Sequence, residues 1–275
     1  MLMEQVRTHN AQRQLSRHLE LTVGTGLNPG ITRQHRPNED SLFAFQGTQT
    51  CGDQLQPFGV FVIADGMGGH THGQEASNLA LRVLSSSVVP PLFGNAALGQ
   101  DALLDLLVNS VQRANGAVFW NNEQDRTNMG TTVTTALMVG ATAYVANVGD
   151  SRAYLYRESN GLRQLTRDHS VVARLVEAGI ITSADIYTHP KRNQLVRFLG
   201  EKASVEVDVF TVALQAGDKL LLCSDGLWEM MRDPDIQQIM SVPVVEPLHT
   251  VEALIQAALA GGGRDNVSAI VVFAR

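Results

Sequence analysis

The sequence predicts an α+β fold built on antiparallel sheets, and three observations support this prediction. Eight strand-like runs, several of them rich in Val and other β-formers, are spread along the chain. The two longest amphipathic helical patterns follow one another directly, between the second and third of these runs. A regular alternation of strand and helix is missing, so a layered, antiparallel-rich domain is favoured over a doubly wound parallel sheet.

The strands are predicted from short apolar runs of the sequence. They span residues 21–23, 58–64, 131–139, 142–148, 153–156, 205–212, 219–223 and 267–273. A further strand-like stretch, SLFAF, starts at Ser41. Because the first strand begins near residue 21 and the last ends at residue 273, we expect a single domain over residues 21–275. Residues 1–20 are expected to form a polar N-terminal extension.

The predicted helices follow from apolar spacing and from end signals. Residues 74–89 and 101–120 carry apolar side chains at i, i+3, i+4 and i+7. A shorter helix is expected to start near Asp233, which proline follows, and another to run from residue 251 to 260 before three glycines. Residues 169–180 contain one more short amphipathic pattern.

Composition and charge limit the functional classes. The 275 residues are 44% hydrophobic and 17% charged, which is typical of a globular domain. The net charge of −6 argues against nucleic acid as a partner, because phosphate backbones select basic patches. Two cysteines without a CxxC pattern, a polar N-terminus and no apolar run of membrane length predict a cytoplasmic protein without a membrane segment.

Aspartates recur at the ends of the predicted strands. Asp65 and Asp225 each end an apolar run and precede a glycine, Asp150 follows another run, and Asp265 lies just before the last one. Asp-Gly is ordinary turn chemistry at any single site, because Asp caps its own turn and Gly supplies a positive φ. Four such sites in one domain suggest instead that several carboxylates meet at a common edge of the sheets.

Carboxylates brought together in this way need a compensating charge. At about 4 Å two of them repel by roughly 4 kcal/mol at an effective dielectric of 20. Protonation or a cation relieves this repulsion, and oxygen-only ligands suit Mg²⁺ or Mn²⁺ rather than zinc. Two such ions about 3.5–4 Å apart activate water for displacement at phosphorus.

Eight motifs in order resemble the metal-dependent protein phosphatase family, the type 2C serine/threonine phosphatases, in its bacterial form. They are NED at 38–40, VIADGMGGH at 62–70, MGTT at 129–132, VGDSRAYLY at 148–156, LTRDHS at 165–170, HPKRNQLVRFLG at 189–200, LLCSDGLWEM at 221–230 and GGRDNVSAIVV at 262–272. The resemblance spans residues 21–275. It implies a central antiparallel β-sandwich flanked by helices on both faces, four layers in the order α-β-β-α, with metals at one edge.

The resemblance also implies which residues bind the two core ions, Mn²⁺ or Mg²⁺. Asp65 is expected to bridge both ions, and Gly66 to add its carbonyl oxygen. Asp225 and Asp265 are expected to complete the first ion's ligands.

The second ion and a weaker third one complete the implied set. Glu39 and Asp40 are expected to serve the second ion, directly or through water, and Asp150 a third. A water or hydroxide bridging the two core ions is then expected to attack phosphorus directly, without a phosphoenzyme.

Two departures from the family pattern leave roles open. The family spaces its phosphate-binding arginine as R-x-x-N-E-D, whereas here two residues are inserted, so either Arg33 or Arg36 is a candidate, with Arg33 favoured. Met67 stands where eukaryotic members have a histidine, which leaves His70 as the nearest candidate for the acid that protonates the leaving oxygen. A purely structural role for His70 is an equal alternative.

The expected function is hydrolysis of phosphoserine and phosphothreonine in protein substrates, by a monomer that opposes a serine/threonine protein kinase. Residues 166–200 correspond to the family's flap beside the active site. Two alternatives remain open at this point: a catalytically inactive phosphoprotein-binding member of the same fold, and a two-metal hydrolase of another substrate such as a nucleotide. A third, a nucleophile elbow at GDSRA, requires a helix after the turn, whereas AYLYR predicts a strand.

Overall fold

The computed structural model describes residues 19–51, 54–68, 72–94 and 98–275. Its strands are β1 Leu21–Asn28, β2 Asp40–Cys51, β3 Gln54–Met67, β4 Gly130–Thr131, β5 Val133–Val139, β6 Thr142–Val148, β7 Arg152–Arg157, β8 Gly161–Gln164, β9 Asp208–Ala213, β10 Lys219–Cys223 and β11 Val267–Ala274. Its helices are α1 His72–Val88, α2 Gln100–Asp125, α3 Val171–Glu177, α4 Asp225–Trp228, α5 Asp233–Ser241 and α6 Pro247–Ala260. Two 3₁₀ turns lie at Pro90–Phe93 and Asp185–Tyr187.

The strands form two antiparallel sheets. One has the order β1-β11-β10-β7-β8 and the other the order β2-β3-β5-β6-β9, with the short β4 paired to the end of β3. In β1 the register continues past the strand, because Glu20 and Arg275 exchange both of their backbone hydrogen bonds. Residues 1–18 of the expected extension lie outside the described residues.

The alternation of side chains along β3 shows how one sheet has two apolar faces. Val60, Val62 and Ala64 pack against α1 and α2. Phe61 and Ile63 point the other way, into the space between the two sheets. This is the two-residue period of a strand that is buried on both faces.

The second sheet repeats this arrangement in β11. Ile270 and Val272 enter the core between the sheets, while Val271 and Phe273 pack against the helical layer of α5 and α6. Helices therefore cover the outer face of each sheet, and the layer order is α-β-β-α. The expected fold class, an antiparallel sandwich flanked by helices on both faces, is confirmed.

Two elements near the site differ from the sequence prediction. The strand expected over residues 131–139 is divided at Thr132, whose backbone N–H bonds to the carbonyl oxygen of Asp65 instead of continuing the ladder. The short helix α4 was not expected at all; one residue, Ser224, separates it from the end of β10.

The turn at Gly149–Asp150 leads into β7 and not into a helix, which excludes a nucleophile elbow there.

Residues 166–200, called the flap below, connect β8 to β9. The flap contains α3 and the Asp185–Tyr187 turn, and two isolated bridges, Ser170 to Leu195 and Leu199 to Thr131, tie it to itself and to β4. None of the helices in the described part of the chain is both long and apolar enough to span a membrane.

Candidate metal centre

The predicted aspartates meet at one end of the sandwich because strands of both sheets end there. Asp65 lies near the end of β3 and pairs directly with Asp40 at the start of β2. Asp225 is the first residue of α4, Asp150 lies in the turn between β6 and β7, and Asp265 lies in the loop before β11. Residues far apart in sequence thus form one acidic cluster.

The cluster opens into a pocket of about 300 Å³. The lining residues are Arg33, Asp65, Gly66, Met67, Gly68, Thr132, Asp150, Asn193, Leu195, Phe198, Asp225 and Asp265. Three of these belong to the flap, which therefore forms one wall of the pocket. Glu39 and Asp40 are not among these lining residues.

Two threonines of the MGTT motif hold the backbone of Asp65. Thr131 Oγ1 and the backbone N–H of Thr132 both donate to the carbonyl oxygen of Asp65, each at 2.9 Å. Thr132 Oγ1 accepts the N–H of Asp65 at 3.0 Å and lies 2.8 Å from Ser151 Oγ. The peptide groups on both sides of Asp65 are therefore fixed, and the same contacts reach the turn that carries Asp150.

Gly66 has no room for a side chain. A Cβ there would overlap the carbonyl group of Gly73, in the first turn of α1, and approach the carbonyl oxygen of Glu39. The Gly66 N–H donates to that same Glu39 oxygen at 3.1 Å. Glycine is needed because the end of β3 passes against two other backbone segments.

Two buried carboxylate oxygens in the cluster have no partner among the described residues. Asp40 is 4% exposed; its Oδ2 accepts a hydrogen bond from Ser224 Oγ at 2.8 Å, but its Oδ1 has none. Oδ1 of Asp225 is likewise buried without a hydrogen bond. Unpaired buried acceptors are costly, so these oxygens are positioned for a ligand that compensates them.

Burial and mutual repulsion raise the pKa values of the cluster. Burial raises the pKa of Asp40 to about 6, against the opposing hydrogen bond from Ser224. Burial, followed by the charge of Asp168, raises the pKa of Asp150 to about 7.

The other carboxyls shift in the same direction. For Asp65 and Asp225, burial is again the largest cause, and the neighbouring aspartates add to it, so both pKa values lie well above the ordinary one. Burial also raises the pKa of Asp265, although the guanidinium of Arg33 opposes this. A cation between these carboxyl groups would favour their ionised form and lower their pKa values.

The donor atoms of this cluster suit Mg²⁺ or Mn²⁺, which keep several bound waters, better than an ion that protein side chains surround completely. In the described part of the chain, no group of three or more His, Cys, Asp or Glu side chains is arranged to hold an ion by itself. Mg²⁺ commonly binds through one or two carboxylates and keeps several waters, so it needs no closed set. The oxygen-only donors, the open pocket and the two unpartnered oxygens meet this requirement.

The structure separates the two candidate arginines. Arg33 lines the pocket, with Nη1 2.6 Å from Asp265 Oδ1 and 3.0 Å from Glu39 Oε2. Arg36 is exposed and is not among the lining residues. Only Arg33 is therefore brought to the acidic cluster. His70, the candidate acid, lies outside the described residues.

Sequence reasoning did not single out several polar residues that organise the cluster. Asn266 accepts the N–H of Glu39 at 2.8 Å and donates to the carbonyl oxygen of Pro29 at 3.0 Å. Ser224 joins Asp40 to the N–H of Ser268. Each adjoins a predicted metal ligand in sequence, and this adjacency is the signal that could have found them.

Comparisons with known proteins agree with this geometry. The family model of protein phosphatase 2C matches residues 28–267. The serine/threonine phosphatase stp of Listeria monocytogenes serotype 4b is 37% identical over 245 residues, which are 88% of this chain and 92% of that protein.

Two solved structures have the same fold. The serine/threonine phosphatase of S. agalactiae has a TM-score of 0.81 and 28% identity, covering 93% of this chain and 100% of that one. The catalytic domain of the serine/threonine protein phosphatase PstP, solved in complex with two manganese ions, has a TM-score of 0.75 and 32% identity, covering 93% and 99%. The family inferred from the motifs is confirmed: this chain belongs to the protein phosphatase 2C family, whose members are manganese- or magnesium-dependent hydrolases.

Proposed function

We propose that this chain hydrolyses phosphoserine and phosphothreonine monoesters of proteins by direct attack of water on phosphorus. The observation that carries the proposal is a cluster of buried and partly buried carboxylates, with two buried unpartnered oxygens, beside one arginine in an open pocket. Family membership and relatives named as serine/threonine phosphatases support the same conclusion.

The lining of the pocket supports water, rather than a side chain, as the nucleophile. The described lining residues include no Ser, Cys or His. Thr132 is the only hydroxyl residue among them, and its Oγ1 already bonds to Asp65 and Ser151 while the residue is 1% exposed. Four aspartates also line the pocket, and a carboxylate can form an aspartyl-phosphate, but we assign these four to metal binding, which leaves water as the nucleophile.

We assign the core metal ligands to Asp65, the carbonyl oxygen of Gly66, Asp225 and Asp265, with Glu39 and Asp40 serving the second ion. Asp150 is assigned to a weaker third site. When bound, Mn²⁺ or Mg²⁺ supplies activation of water and neutralisation of charge on the transferring phosphoryl group. The contacts of Thr132 with Asp65 and of Ser224 with Asp40 hold these residues at fixed positions. Groups that are already in place need little rearrangement during the reaction.

Arg33 is the proposed phosphate-binding residue. Its Nη1 is held by Asp265 and Glu39, which places the guanidinium at the border between the acidic cluster and the open pocket. A planar guanidinium can engage two phosphate oxygens at once, which aligns the monoester beside the carboxylates. His70 remains the proposed general acid on the family resemblance alone, with a purely structural role as the equal alternative.

The biological setting is part of the proposal. We place the site in one catalytic domain over residues 21–275 that acts as a monomer in the cytoplasm, which the presence of only two cysteines supports. Phosphoserine and phosphothreonine in proteins are made by protein kinases, so a serine/threonine kinase and its targets are the proposed functional partners.

The test is phosphate release from a phosphothreonine peptide with Mn²⁺, with Mg²⁺ and with excess EDTA. We expect turnover that either metal supports and EDTA abolishes. The variant Asp65→Asn should be inactive, and Arg36→Ala, which alters an exposed residue outside the pocket, is the matched control. Absence of turnover from the folded wild-type chain would favour an inactive binding module, and faster release from nucleotides would favour a different hydrolase.

A further inference from the structure

The flap is linked to the turn that carries Asp150 by one direct contact and by one contact through Trp228 of α4. The first is at the base of the flap, where His169 and Gly149 form a reciprocal pair. The N–H of Gly149 donates to His169 Nδ1 at 3.0 Å, and the N–H of His169 donates to the carbonyl oxygen of Gly149 at 2.9 Å. The backbone on the N-terminal side of Asp150 is thus held by the first part of the flap.

The second point of contact runs through Trp228. This side chain is 2% exposed, and its indole N–H donates to the carbonyl oxygen of Asp150 at 2.9 Å. Tyr187, in the 3₁₀ turn of the flap, packs edge-on against the Trp228 ring with centroids 6.3 Å apart and an interplanar angle of 68°. The guanidinium of Arg232 covers Tyr187, 3.2 Å from its ring centroid.

Trp228 is also held by a buried ion pair. The guanidinium of Arg152 lies 3.6 Å from its ring centroid, and Arg152 itself is held by Asp168 through Nε at 2.9 Å and Nη2 at 2.6 Å. Both side chains of this ion pair are about 5% exposed. Tyr187 is partly buried, and loss of its ring removes one of the contacts that hold Trp228, which bonds directly to Asp150.

We propose that Tyr187 is a positioning residue: by docking on Trp228 it sets the backbone position of Asp150 and thereby the affinity of the weaker, third site for a divalent cation. The inference rests on the proposed function in taking Asp150 as a metal ligand. The flap then has two roles, because it forms a wall of the pocket through Asn193, Leu195 and Phe198 and also adjusts a carboxylate of the cluster.

The chain offers a direct probe of this link, because Trp120 and Trp228 are its two tryptophans. Trp120 is 61% exposed, so Trp120→Phe leaves Trp228 as a single reporter in a folded background. In this background we would compare Tyr187→Ala with Tyr187→Phe, which keeps the ring. Ile180→Ala is the matched control, since Ile180 belongs to the flap but is 68% exposed.

Three measurements are made on each variant: calorimetric titration of the metal-free protein with Mn²⁺, Trp228 emission, and KM and kcat for a phosphothreonine peptide. Loss of an aromatic pair changes an equilibrium by about 2- to 12-fold, so Tyr187→Ala should weaken Mn²⁺ binding at the weaker site by that factor and leave the tighter sites unchanged. Its Trp228 emission should shift to the red, while Tyr187→Phe and Ile180→Ala remain at wild-type values. If Tyr187→Ala does not fold, Arg232→Gln, at an exposed position, tests the same stack and should also weaken Mn²⁺ binding.

Unchanged Mn²⁺ affinity at the weaker site in Tyr187→Ala, with only KM for the peptide raised, would overturn the proposal and leave the flap as a substrate wall alone. Equal weakening by Ile180→Ala would also overturn it, since that result indicates general loosening of the flap. A wild-type chain that binds Mn²⁺ but releases no phosphate would refute the proposed function, and the calorimetric and fluorescence results would still decide the link between Tyr187 and Asp150.

Discussion

Neutralising Asp150 should stabilise the metal-free protein, and the gain should grow with pH. Burial, and after it the charge of Asp168, raises the pKa of Asp150 from 3.8 to about 7. The unfolded chain releases this proton near pH 3.8, so between the two values the folded state binds more protons. Folding stability therefore falls as the pH rises through this range.

The size of the effect follows from the same two values. At about 1.4 kcal/mol for each pKa unit, the ionised carboxyl destabilises the folded, metal-free protein by about 4 kcal/mol at pH 8, and about 3 kcal/mol of this loss falls between pH 5 and pH 8. Asp150→Asn keeps the shape of the side chain and removes the charge. The variant should be about 4 kcal/mol more stable than the wild type at pH 8, with a smaller difference at pH 5.

The assay is urea denaturation followed by circular dichroism at pH 5, 6, 7 and 8, with EDTA throughout. Asp105→Asn, at an exposed position of α2, is the control and should change the free energy of unfolding by less than about 0.5 kcal/mol at every pH. A difference between Asp150→Asn and wild type that does not vary with pH, or a less stable variant at pH 8, would refute the reasoning.

Three further predictions concern the cluster and its arginine. Asp65→Asn should lower kcat at least about 100-fold, because several kcal/mol of metal-dependent stabilisation are lost, while its thermal midpoint in EDTA equals or exceeds that of wild type. Arg33→Ala should raise KM for a phosphothreonine peptide about 10-fold or more, since a charge-assisted phosphate contact is lost, whereas Arg36→Ala should match wild type in the same assay. Gly66→Ala should abolish calorimetric Mn²⁺ binding and lower the thermal midpoint, because its Cβ overlaps the Gly73 carbonyl group; normal Mn²⁺ affinity in this variant would contradict the packing argument.

The amino-acid sequence by itself determined the elements and the chemistry of the site. Strands β6 and β10 have the bounds expected from their apolar runs, because a buried strand is encoded in consecutive residues. The aspartates at strand ends, and the motifs around them, were enough to predict the family and the fold, which the comparisons confirm. These signals are local, so they can be read without knowing which strands are neighbours.

The tertiary structure decided what depends on contacts between distant segments. The sequence leaves both Arg33 and Arg36 as candidates and only favours Arg33; the ion pair of Arg33 with Asp265, at the opposite end of the chain, separates them. The division of the 131–139 strand follows from the bond between Thr132 and Asp65, and the link from Tyr187 through Trp228 joins three separate segments. No local periodicity encodes such pairings, because they arise only when two sheets and the flap pack around the same strand ends.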